Sequence, residues 1–72
     1  MITRAHDYAV ANATKTLNDG TTAYAASIDA GESWVEIDRP AGETDCDTIR
    51  ALMAGTLVMS ARYLRMYDWI ID

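Results

Sequence analysis

The sequence predicts a two-layer α+β domain on three observations: helical spacing near the N-terminus, period-two alternation in the middle, and a long three-and-four spacing toward the C-terminus. The first stretch runs from Thr3 to Asn18. Thr3 is a suitable N-cap, Val10, Ala13 and Leu17 recur at helical spacing with His6 one turn earlier, and Asn18-Asp19-Gly20 reads as a C-terminal stop. An N-terminal helix with an alanine-rich, closely packing face is expected.

After Gly20 the pattern alternates, with Tyr24, Ala26 and Ile28 on one side of a strand and Ala23, Ala25 and Ser27 on the other. Asp29-Ala30-Gly31-Glu32 supplies turn chemistry. From Ser33 to Asp38, Val35 and Ile37 share one face and Trp34, Glu36 and Asp38 share the other, so burial of the first pair puts the acids and Trp34 in solvent. The two strands read as an antiparallel β-hairpin. A lone hairpin is marginal, which calls for a third strand, from a partner subunit for example.

Arg39-Pro40-Ala41-Gly42 reads as a loop, and Thr44 or Asp45 can cap the next helix with Asp47 in its first turn. Ile49, Leu52, Met53, Leu57, Ser60, Leu64, Tyr67 and Ile71 then follow a helical spacing, so one long amphipathic C-terminal helix is expected, with a bend at Gly55. Its end, through Tyr63, Tyr67, Trp69, Ile70 and Ile71, is apolar on more than one side. Two readings fit that excess: a homodimer interface, or a tail folded back over the sheet.

Seventy-two residues make one domain spanning 1–72, and a chain this short buries only about 60% of the surface its unfolded form exposes, which disfavours a deep catalytic pocket. Cys46 is the single cysteine, so no intramolecular disulfide or cysteine zinc cluster can form, and a reducing, cytoplasmic setting is expected. The first residues do not read as a secretory signal, and the uncharged stretches are too short to span a bilayer.

No phosphate-binding glycine loop, zinc-protease helix, EF-hand loop or serine elbow occurs. His6, the only histidine, reads as a packing or surface residue before a general base. Asp45 and Asp47 flank Cys46 and oppose thiolate formation, which favours an inert thiol. The carboxylate pairs Asp45 with Asp47 and Glu36 with Asp38 are spaced too loosely to specify a cation. Asn12-Ala13-Thr14 fits the N-glycosylation pattern but reads as chance, and Met53, Met59 and Met66 read as core filler. The chain is expected to be no enzyme and to take no cofactor or metal.

Charge distribution carries the functional reading. Between Asp29 and Asp47 seven acids (Asp29, Glu32, Glu36, Asp38, Glu43, Asp45 and Asp47) face one base, Arg39, a local net −6 within a chain of net −5. Binding to a nucleic-acid backbone needs clustered Lys and Arg, and Lys15 is the only lysine, so direct nucleic-acid binding is not expected. The acidic face reads either as a solubilising surface or as a docking surface for a basic partner, with Trp34 as an aromatic anchor.

In length, acidity and the order helix, hairpin, helix around the segment Asp29 to Asp47, the chain resembles the small acidic phage-encoded anti-CRISPR proteins. The resemblance implies a protein-binding inhibitor that blocks a CRISPR surveillance complex in a bacterial cytoplasm by nucleic-acid mimicry. In that role Glu36, Asp38, Glu43, Asp45 and Asp47 would stand in for phosphates on a lysine-rich DNA or RNA site. Two alternatives remain: a homodimeric structural or adaptor protein using its apolar C-terminal helix, and a subunit that completes the site of an oligomeric enzyme.

Overall fold

Val10, Thr14 and Thr16 are β-branched, and between them stand Ala11, Ala13 and Lys15, so the segment can also be read with period two. The computed structural model, which describes residues 2–3 and 8–72, follows that period. Two short paired strands, β1 (Ile2–Thr3) and β2 (Tyr8–Ala9), precede β3 (Ala11–Thr16). The expected N-terminal helix is therefore overturned, and Thr3 lies in a strand instead of capping a helix. The position expected for His6 lies outside the described residues.

Asn18-Asp19-Gly20 is a hairpin turn instead of a helix stop. Gly20 has φ +87°, Leu17 N–H donates to the Thr21 carbonyl at 2.8 Å, and Asp19 accepts from both the backbone and the hydroxyl of Thr21. An Asp-Gly pair between two alternating stretches is a strong hairpin signal, because glycine enters the left-handed region without steric penalty. The turn joins β3 to β4 (Thr22–Ser27) in antiparallel register, Ala13 opposite Ala25. β5 (Ser33–Ile37) pairs on the far side of β4, with Ala26 opposite Val35.

The long C-terminal helix is also overturned. α1 (Cys46–Gly55) follows a short 3-10 turn at Glu43–Asp45 and ends where Gly55 meets Thr56, which is extended at φ −133°, ψ 149°. Helix-breaking glycine and the β-branched Thr56 and Val58 release the chain into β6 (Met59–Ser60). Ser60 then caps α2 (Ala61–Met66), its hydroxyl accepting from Tyr63 N–H at 3.1 Å. Asp68 at φ +68° turns the chain out of α2, and Trp69 N–H closes back on the Leu64 carbonyl at 2.9 Å. β7 (Ile70–Ile71) completes the sheet against β3.

The result is a curled, antiparallel, five-stranded half-barrel in the order β6-β5-β4-β3-β7, with two short helices. The chain itself supplies the strands beyond the hairpin, so no strand from a partner subunit is needed. Successive residues of a strand face opposite ways, which places the two helices on opposite faces instead of in one layer. Ala25 and Trp34 form a core with Ala13 and Leu64 of α2, while Ala26 and Val35 form another with Ile28 and Ile49 of α1.

Candidate docking site

Trp34 is fully buried, which corrects its expected place on a wet face beside Glu36. The alternation itself holds: Val35 is buried, Ile37 is partly buried, and Glu36 and Asp38 are exposed. What the expectation lacked was a second covering layer. Leu64, Met59, Trp69 and Ile71 cover the face that Trp34 occupies, so the water-facing part of that side begins only at Glu36.

The acids of the segment divide into two sets. Asp29 belongs to the β4–β5 turn, where one carboxylate oxygen accepts from the Ser27 hydroxyl at 2.6 Å, Glu32 N–H at 3.1 Å and Ser33 N–H at 2.8 Å. Ser27 is buried and accepts in turn from Gly31 N–H at 3.0 Å, and the Trp34 indole N–H donates to the Gly31 carbonyl at 2.8 Å. Ala30 and Gly31 both have positive φ, a backbone that these bonds hold in place. Partial burial pushes the Asp29 carboxyl up, but the bonds from Ser27, Ser33 and Glu32 outweigh it and hold it below the ordinary 3.8.

Asp45 is likewise engaged. Its carboxylate accepts from both terminal nitrogens of Arg39 at 3.1 Å and from Gly42 N–H at 2.8 Å. The Arg39 hydrogen bonds, followed by that from Gly42, lower its pKa to about 2. The clasp ties the 39–42 loop to the start of α1, and Asn12 holds the same loop from β3, donating to the Ala41 carbonyl at 3.0 Å and accepting from Ala41 N–H at 2.8 Å. Asn12 is thus a structural clamp in the strand. The Cys46 thiol is buried beneath this junction and donates to the Glu43 carbonyl at 3.1 Å.

Glu32, Glu36, Asp38, Glu43 and Asp47 are exposed, with Asp47 lying 3.7 Å from Arg50. Two of the five, Glu36 and Asp38, line a groove of about 260 Å³ between β5 and α1. Its apolar lining comes from Ile37, Ala41, Ile49 and Leu52, and the Arg39–Asp45 pair also contributes to its wall. Asp45, Thr48, Ile49 and Leu52 recur three and four residues apart, so one stripe of α1 makes the helical wall. That stripe is visible in the sequence, but its adjacency to β5 depends on long-range packing.

The expected self-association residues also separate. Ile71 pairs opposite Ala13 and packs on the Trp34 core, as does the partly buried Trp69, so both help close the sheet. Tyr63 and Tyr67 are exposed with ring centroids 4.6 Å apart, and Ile70 is 66% exposed. Met66 and Leu57, the latter 93% exposed, add to the exposed apolar surface. Among the described residues, no group of three or more His, Cys, Asp or Glu is placed to hold a metal ion, and no helix is long and apolar enough to cross a membrane. No protein-family model, curated protein or solved structure matches the chain.

Proposed function

We propose that the chain is a small binding protein that docks on a basic, nucleic-acid-binding surface of a larger protein and competes there with the nucleic acid. The observation that carries this reading is the local net −6 between Asp29 and Asp47, of which Glu32, Glu36, Asp38 and Glu43 present carboxylates to solvent. Such a field steers a cationic partner, and carboxylates set on β5 and in the segments flanking it can occupy sites built for phosphates. Trp34 supports the surface from the core, and the carboxylates of Asp29 and Asp45 are engaged by hydrogen bonds within the chain instead of serving the partner. The helix, hairpin, helix order no longer supports the anti-CRISPR resemblance, and a CRISPR surveillance complex stands as one example of such a partner. A reducing, cytoplasmic setting suits the single buried thiol of Cys46.

Affinity capture with the tagged chain, followed by competition, tests the proposal. A captured protein should be released by its own nucleic acid and by rising salt, since screening weakens contacts between exposed charges. Retention of the captured protein under both treatments would contradict it.

A second reading, self-association, is favoured by the exposed surface of Leu57, Tyr63, Met66, Tyr67 and Ile70. Sedimentation of the chain and of Ile70→Asp tests it: a dimer that the substitution dissociates supports the reading, and a monomer at high micromolar concentration ends it. Ile71→Asp is unsuitable, because Ile71 packs on the core.

A further inference from the structure

The groove beside β5 coincides with an unfinished edge of the sheet. β6 pairs with β5 only at Ser33 and Trp34. Among the described residues, no strand pairs with Val35, Glu36 or Ile37 on the side away from β4, and of these Glu36 and Ile37 reach the surface while Val35 is buried. An unpaired edge offers backbone N–H and C=O groups to any extended chain that can lie beside it. Here it adjoins an apolar floor made by Ile37, Ala41, Ile49 and Leu52. Ile37 packs with the α1 core, and its neighbour Glu36 borders the groove at the strand edge while its side chain alternates to the opposite side of the strand.

We infer that this edge accepts an extended, lysine- or arginine-bearing segment of a partner protein as an added strand. Alternate apolar side chains of the segment lie against Ile37 and Leu52, and the cationic side chains between them lie on the side of Glu36, with Asp38 at the end of the groove. Charge selects this occupant. Pairing with β5 of a second copy would set Glu36 and Asp38 against like charges, which destabilises cross-strand neighbours, whereas a basic strand meets opposite charges. Strand addition draws affinity from main-chain hydrogen bonds and specificity from every second side chain, which matches an edge with acids on one side and an apolar floor on the other. The inference rests on the acidic docking proposal for the sign of the partner and adds the mode of its attachment.

A short synthetic peptide alternating lysine and valine is the probe, compared with two versions of it that are N-methylated at alternate amides along one edge or the other. Methylation removes edge hydrogen bonds and preserves charge. The unmodified peptide should bind and slow amide exchange within Val35–Ile37, and at least one methylated version should bind about tenfold more weakly, a difference of about 1.4 kcal/mol. Leu52→Lys, which sets a cation in the groove, should weaken binding similarly, while Ile70→Asp should not. Equal binding by all three peptides, or no exchange protection at β5, overturns strand addition but leaves charge-driven docking intact. Absence of binding by every peptide also overturns it, whereas the docking proposal itself fails only in the competition with nucleic acid.

Discussion

Two regions of one acidic segment use negative charge in opposite ways. In the β4–β5 turn, the exposed Asp29 turns its carboxylate back onto backbone N–H groups, and its charge is taken up in holding Ala30 and Gly31 at positive φ beside the Trp34 indole. Along the groove between β5 and α1, Glu36 and Asp38 lie at the surface. Asp45 sits at the boundary, lining the groove yet engaged by Arg39 and Gly42. Proximity in sequence therefore says little about availability to a partner. What separates the regions is whether backbone donors converge on the carboxylate.

Substitutions in the two regions should differ accordingly, and the largest effect belongs to the turn. Trp34→Ala removes a fully buried indole and its bond to Gly31, and should lower stability by about 3–5 kcal/mol in chemical denaturation. A loss well under that range would mean that the turn and the core beneath it are not coupled. Asp29→Ala should be milder, about 1 kcal/mol, because water can reach the donors that it leaves unpaired.

Asp45→Asn should lower the melting temperature at neutral pH by less, and its diagnostic is pH. The Asp29 and Asp45 carboxyls both lie below 3.8 in the folded chain, so the unfolded chain binds protons first as pH falls. Their stabilisation is complete above 3.8 and is lost as pH falls through the folded values, down to about 2 for Asp45. Melting curves across that window should fall less steeply for Asp45→Asn than for the parent chain; identical slopes would mean that the Arg39 clasp does not form in solution. At the groove, Glu36→Gln with Asp38→Asn should shift stability by no more than about 0.5 kcal/mol, and a larger loss would place these acids in the structural set.

The middle of the sequence was legible because its alternation, turn residues and strand length all pointed one way. Tyr24, Ala26 and Ile28 do oppose Ala23, Ala25 and Ser27, and Val35 and Ile37 do oppose Glu36. The ends were not legible, for a shared reason. Alanine-rich β3 matches a helix and a strand equally in pattern, and its identity was decided by Asp19-Gly20 acting as a hairpin turn and by alanines small enough to lie beneath Trp34 and Leu64. Ile49, Leu64 and Ile71 fit one helical stripe, yet Gly55, Thr56, Ser60 and Asp68 divide that stripe among α1, α2 and β7. Trp34 was misplaced with them, because no local signal reveals that α2 and β7 return to cover its face. The acidic segment was visible in the sequence as a group, but its division into engaged and exposed carboxylates depends on donors such as Gly42 N–H that sequence patterning does not reveal.

If Glu36 and Asp38 serve a partner and not the fold, the decisive quantity is the affinity of Glu36→Lys with Asp38→Lys for the captured, nucleic-acid-displaceable protein, followed as salt is raised and set beside a melting curve of the same variant. Melting close to that of the parent chain, at least about tenfold weaker binding at low salt and a flatter salt dependence are expected, since two favourable charge contacts become repulsive. Unchanged affinity and unchanged salt dependence in a folded variant would show that these carboxylates are only a solvated surface.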